Sequence, residues 1–221
     1  MGPAKMELGV PVEITFDGKR LFGDLNLEKG SKGLVLFAYG SGSSRFSPRQ
    51  RFVSRRLNEA GLSTFFMDLL TSSEEEIDRA TAGYRFNIPL LADRLSAAIA
   101  WSQGDERTGP LKIGLMGGST GAAACLLAAA ERGEEVSAVV SRGGRTDMAN
   151  ELLPRVTAAT LFIVGSLDPE VVQLNEGSFR LLKCREKKLE VVPGASHLFE
   201  EPGKLERVAE LARDWFTKYL G

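Results

Sequence analysis

The chain has 221 residues, 43% apolar and 26% charged, with 28 Lys and Arg against 29 Asp and Glu and a single histidine. This length suits one α/β domain spanning 1–221, able to bury its own core without disulfide or metal staples. A net charge of -1 lacks the basic excess of nucleic-acid binders, and the longest apolar run, the nine residues Ala122 to Ala130, is about half a bilayer span, so neither nucleic acid nor membrane is an expected partner.

The opening Met1-Gly2-Pro3-Ala4-Lys5-Met6 lacks a signal-peptide core, so a cytoplasmic location is expected. Val10 to Phe16 alternates apolar and polar, Asp17-Gly18 turns the chain, and Leu21 to Leu27 alternates again, which predicts an antiparallel hairpin. From Gly33 onward the apolar runs become continuous, as in parallel strands buried on both faces. They lie at Leu34 to Tyr39, Ser63 to Met67, Lys112 to Met116, Ser137 to Val140, Thr160 to Val164 and Leu189 to Val192, making about eight strands in all.

Helices are predicted between them. Ser47 caps and Pro48 opens one that Gly61 stops, Ile88 to Gln103 forms another, and Gly121 to Arg132 ends at Gly133. A closing helix, Lys204 to Tyr219, carries an apolar stripe from Leu205 to Tyr219 at helical spacing. The polar interval Thr71 to Asn87 is read as a mobile loop or minimal lid. Arg45, Arg49, Arg51, Arg55 and Arg56 are read as a solvated helix face in preference to an RNA or anion patch.

Gly117-Gly118-Ser119-Thr120-Gly121 fits G-x-S-x-G and falls between a predicted strand and a predicted helix. A serine on such a turn adopts a strained backbone that lifts its hydroxyl above the sheet, and its neighbours must be small. The following helix start offers amides for the negative charge of an attacked carbonyl, with Thr120 N–H the expected first donor. The second is expected near Ser41 in the loop Gly40-Ser41-Gly42-Ser43.

A serine nucleophile needs an oriented base. The one available imidazole, His197, lies just past the last strand, and Asp168 follows the strand before it, so the order is Ser119, Asp168, His197 at spacings of 49 and 29. That is the chain order of α/β-hydrolases. Asp68 and Asp147, also near strand ends, are the competing carboxylates.

Tyr39, Gly40, Gly42, Arg45, Phe46 and Arg142 stand beside these positions and are candidate substrate-binding residues. Arg45 and Arg142 either hold a substrate carboxylate or phosphate or serve as caps and ion-pair partners. The two cysteines, Cys125 and Cys184, form no C-x-x-C site, and one histidine cannot build a multi-histidine zinc site. No cofactor or metal is expected, the expected partner is a small ester or acyl substrate, and oligomeric state is open.

Four stretches carry a family resemblance: Gly40-Ser41-Gly42-Ser43-Ser44-Arg45, Ser119-Thr120-Gly121-Ala122-Ala123-Ala124, Ser141-Arg142-Gly143-Gly144-Arg145, and Val192 through Gly203. The chain resembles, over nearly its whole length, dienelactone-hydrolase-related members of the α/β-hydrolase superfamily. The resemblance implies an esterase-like serine hydrolase with Ser119 as nucleophile, His197 as base and Asp168 as orienting acid. Dienelactone hydrolase itself uses cysteine as nucleophile, so its lactone substrate does not transfer.

Relatives usually read His-Gly where this chain has Tyr39-Gly40, and often carry a second His at the position of Phe46. Natural divergence and redesign of a hydrolase scaffold both explain these departures. The rival readings are a catalytically weak or inactive scaffold and, third, a nucleotide-binding protein.

Overall fold

The computed structural model describes residues 9–39 and 43–221. Eight strands form one sheet: β1 (Val10–Phe16), β2 (Lys19–Asn26), β3 (Gly33–Ala38), β4 (Ser63–Met67), β5 (Lys112–Gly118), β6 (Val136–Arg142), β7 (Ala159–Gly165) and β8 (Lys187–Val192). Their order is β1-β2-β4-β3-β5-β6-β7-β8. The hairpin β1–β2 and the β2–β4 pair are antiparallel, and every other pair is parallel. The expected hairpin feeding a parallel sheet is therefore present.

Six helices cover the two faces: α1 (Pro48–Glu59), α2 (Ser72–Thr81), α3 (Ile88–Gly104), α4 (Thr120–Arg132), α5 (Pro169–Leu181) and α6 (Lys204–Leu220). On one face, Leu91, Leu95 and Ile99 of α3 and the small residues of α4 pack on Leu36, Leu115 and Val139. On the other, Val53 and Leu57 of α1 and Val208, Ala212 and Phe216 of α6 cover Val35, Met116 and Val140. The central strands are buried on both sides, which is why their sequences are continuously apolar.

Two segments differ from the sequence expectation. Residues Pro169–Leu181 form a helix that the apolar pattern does not announce, because only Val171, Asn175 and Ser178 of it are buried. The expected loop at Thr71 to Asn87 contains α2. It begins with a capping box, in which Glu74 N–H donates to Thr71 Oγ1 at 3.3 Å and Thr71 N–H donates to a Glu74 carboxylate oxygen at 2.9 Å.

The same Glu74 is buried and receives two hydrogen bonds from the buried Arg94 guanidinium of α3, at 2.6 and 2.7 Å, and a contact from Lys19 of β2. At the far end of α2, Asp78 accepts from the amides of Tyr84 and Arg85 at 2.8 and 2.9 Å. The segment is thus a helix fixed at both ends, and the expectation of a mobile loop is corrected.

The solvated-helix reading of α1 also needs one correction. Arg55 and Arg56 are exposed, but Arg51 is buried, pairs with buried Asp24 of β2, and lies 4.1 Å over the Phe66 ring.

Candidate active site

Ser119 stands between β5 and α4 with φ 50° and ψ -125°, the left-handed backbone that a non-glycine residue adopts at a cost of about 1–3 kcal/mol. The bend is possible because its neighbours lack side chains. A Cβ on Gly117 would lie 2.5 Å from Ala122 Cα, and one on Gly121 would lie 2.5 Å from the Ala38 carbonyl oxygen. The close approach lets α4 start directly behind the sheet edge, with buried Thr120 as its first residue.

The turn is tied to the next strand. Ser119 N–H donates to the Arg142 carbonyl at 3.4 Å, and Arg145 N–H donates to the Ser119 carbonyl at 3.0 Å. Between those two residues, Gly143 has φ +54° and backs onto the imidazole, since a Cβ there would lie 3.4 Å from His197 Cε1. Residues 142–145 thus connect the serine turn to the histidine.

His197 and Asp168 meet because their loops are stitched together. Ser166 N–H donates to the Val192 carbonyl at 3.0 Å, Leu167 N–H to the Ala195 carbonyl at 2.9 Å, and Gly194 N–H to Ser166 Oγ at 2.8 Å. Glu201 braces the far side by accepting from Ser196 N–H at 3.1 Å. The outcome is a 2.7 Å hydrogen bond between His197 Nδ1 and Asp168 Oδ2.

The competing carboxylates are engaged elsewhere. Asp147 takes both forks of Arg145, at 2.9 and 2.8 Å, and Asp68 is ion-paired to Arg45. Asp168 therefore stands apart from them as the carboxylate bonded to the imidazole. Among the described residues, no group of three His, Cys, Asp or Glu side chains is placed to hold a metal ion.

A cleft of about 320 Å³ opens beside Thr120, bounded by Tyr39, Asp68, Leu69 and Leu91, with Glu75 and Arg79 of α2 on its outer wall. Tyr39 is buried, and its hydroxyl has no hydrogen-bond partner among the described residues. Burial pushes its phenol well above the ordinary range, so it remains a neutral hydroxyl beside the Arg51, Asp24 and Arg45 charges.

Other predicted site residues fall differently. Arg45 is held by Asp68 and Asp24, and Phe46 is exposed, with the Arg45 guanidinium 4.4 Å from its ring centroid. Gly40, Ser41 and Gly42 lie outside the described residues. Arg142 is on β6 beneath the histidine loop, 6.0 Å from the Phe199 ring centroid, with its Nε and Nη1 buried.

Sequence reasoning missed the supports of the cleft wall. Thr71-x-x-Glu74 is a capping-box signature ahead of α2, and Arg94 interrupts the apolar stripe of α3. Both signals were available.

The profile of the dienelactone hydrolase family matches residues 31–220. The chain belongs to that family. Its relatives include a dienelactone hydrolase from Anabaena variabilis, whose crystal structure is 51% identical, covers 95% of this chain and 97% of its own, and superposes with a TM-score of 0.93. A lidless α/β serine hydrolase from Xanthomonas campestris shares the fold at 18% identity and TM-score 0.75, covering 99% of this family member and 98% of its own chain.

In two strains of Mycobacterium tuberculosis, a protein provisionally named a phosphoribosyl transferase is 49% identical over 200 residues, or 90% of this chain. The dienelactone hydrolase family member spans 44% of the length of those relatives. It is a hydrolase by family and an α/β-hydrolase by fold. No helix among its described residues is long and apolar enough to cross a membrane.

Proposed function

We propose that the chain is a serine hydrolase acting on activated esters or related acyl compounds. The observation that carries this reading is the 2.7 Å Asp168–His197 hydrogen bond at the sheet edge to which the strained Ser119 turn is tied. Ser119 Oγ attacks the carbonyl carbon and passes its proton to His197 Nε2, while Asp168 holds Nδ1–H and stabilises the imidazolium. The Thr120 amide, aided by the start of α4, donates to the developing oxyanion, and an amide near Ser41 is assigned the second place.

His197 then returns the proton to the leaving group. Water, activated by the same imidazole, cleaves the acyl-serine ester and restores the enzyme. Tyr39, Gly40 and Gly42 are assigned to the substrate surface, with the cleft taking one substituent of the ester. No step calls for a cofactor.

The transferase name belongs to relatives more than twice as long. The elbow and the Asp168–His197 pair favour acyl chemistry over phosphoribosyl transfer for this chain.

A fluorophosphonate probe tests the reading. Labelling of the parent protein and its loss in Ser119→Ala are expected. Labelling that survives the substitution removes Ser119 from its role, and an unlabelled parent points to an inactive scaffold.

A further inference from the structure

Arg142 is placed at a cost the fold itself does not require. Its Nε and Nη1 are buried with no hydrogen-bond partner among the described residues, and the charged group that acts on it most is a second cation, Arg49. Burial, reinforced by Arg49, brings its guanidinium down to about 10. Desolvated charges in proteins are ordinarily paired, because an unpaired one loses its hydration without compensation. Arg49 itself is paired, at 2.5 Å, with Glu200.

The surroundings are built to admit this side chain. The missing Cβ of Gly118, the residue before Ser119, would lie 2.9 Å from Arg142 Nη2 and 3.6 Å from Gln50 Nε2. Two donors therefore converge on one spot immediately behind the nucleophile. Gln50 is buried in the first turn of α1, a 12-residue helix with no acidic residue in that turn, so its positive end faces the same region.

Arg142 and Gln50 lie on the face of the sheet covered by α1 and α6, whereas Leu91 brings α3 into the cleft from the opposite face. A carbonyl at Ser119 thus has one side toward the cleft and the other toward Arg142.

We infer that Arg142 and Gln50, at the start of α1, form a carboxylate-binding subsite behind Ser119, so that the preferred ester carries a negative charge on the part lying outside the cleft. The inference rests on the hydrolase reading above. Arg142 acts here as a binding residue whose open donors are satisfied when substrate arrives. Its specificity follows from the same cost, since a neutral ester leaves the guanidinium unpaired.

The test compares matched esters. Mono-p-nitrophenyl succinate against p-nitrophenyl butyrate places the charge on the acyl side, and 3-butyryloxybenzoate against 3-butyryloxybenzamide places it on the alcohol side. In one of these pairs the parent is expected to favour the anion by roughly 10- to 100-fold in kcat/KM, the worth of a charge-assisted hydrogen bond. Arg142→Met should bring that ratio close to one, Arg142→Lys should recover part of it, and Arg213→Met, a surface charge control on α6, should leave it in place.

A parent with no anionic preference in either pair, or a preference that persists in Arg142→Met, overturns the subsite. Thermal unfolding separates a structural role: Arg142→Met should melt at or above the parent, and a lower melting temperature with the ratio retained marks a structural arginine. Succinate titrated into Ser119→Ala, read by calorimetry, reports the subsite without any turnover. Binding there that Arg142→Met abolishes upholds the subsite even if the esterase assays fail, and its absence in Ser119→Ala refutes it.

Discussion

Gly143 and His197 are fitted to each other: the glycine occupies φ +54°, and its α-carbon faces the imidazole with room for a hydrogen and no more. A methyl group there would lie 3.2 Å from the His197 carbonyl oxygen and 3.5 Å from Nδ1. The ring that Asp168 orients from one side is therefore also backed by bare main chain.

Gly143→Ala should consequently damage activity more than stability. The left-handed backbone costs about 1–2 kcal/mol, and the contacts require the ring or its loop to shift by a few tenths of an ångström. We expect kcat on a p-nitrophenyl ester to fall by about tenfold or more, since misplacing a catalytic group is expensive, with a thermal midpoint lowered by only a few degrees. Equal losses in a His197-independent property such as thermal stability would count against the positioning role.

Gly121→Ala is expected to fail more severely. Its Cβ would sit 2.5 Å from the Ala38 carbonyl oxygen and 2.6 Å from that of Tyr39, and neither is the end of a flexible side chain. Forcing α4 away from β3 should cost about 1–3 kcal/mol or more and displace Thr120 from the sheet edge. Gly177→Ala, inside α5 with nothing within 4 Å of the new methyl, should instead stabilise by roughly 0.5–1 kcal/mol. Denaturant unfolding of both variants checks the contrast.

The α2 wall should respond to acid. Burial alone would raise the Glu74 carboxyl, but the Arg94 hydrogen bonds, with Lys19 and the Thr71 amide, hold it well below the usual carboxylate range. A depressed folded pKa contributes stability that is complete above the unfolded value near 4.3 and drains away as pH falls below it. The parent should therefore lose stability below about pH 4 more steeply than Glu74→Gln, which itself should cost about 3–5 kcal/mol at neutral pH by leaving Arg94 buried without its partner. Urea midpoints measured from pH 7 down to about pH 3 give both slopes.

Neither thiol should react in the folded protein. Cys125 and Cys184 are both buried, and burial raises both thiols above the ordinary cysteine range. Maleimide is expected to label neither cysteine until denaturant is added, and then both; native labelling of Cys125 would show that α4 opens locally.

The sheet was legible because its signals are local. Alternation in Val10 to Leu27 and continuous apolar runs thereafter mark strands buried on one face or two, and each predicted run lands on a strand with its ends shifted by a few residues at most. The serine turn was equally visible, since glycine spacing is dictated by the same close approaches that Gly117 and Gly121 make.

What stayed hidden depends on pairing across the fold. Nothing near Arg51 in sequence announces Asp24, 27 positions away, and nothing near Glu74 announces Arg94, 20 positions away, so both arginines read as solvent-facing or unremarked. Helix α5 buries too few apolar residues to create a stripe. Order along the chain favoured Asp168, but only the Arg145–Asp147 and Arg45–Asp68 pairs show why its competitors are occupied.

The solitary imidazole has a practical consequence for watching this site in solution. With His197 the sole histidine and its Nδ1 directed at Asp168, every imidazole signal in a nitrogen-15 or carbon-13 spectrum comes from one residue. Its tautomer, its ionisation and its response to an acyl group on Ser119 are thus readable by magnetic resonance on the unaltered protein, with no assignment and no mutagenesis.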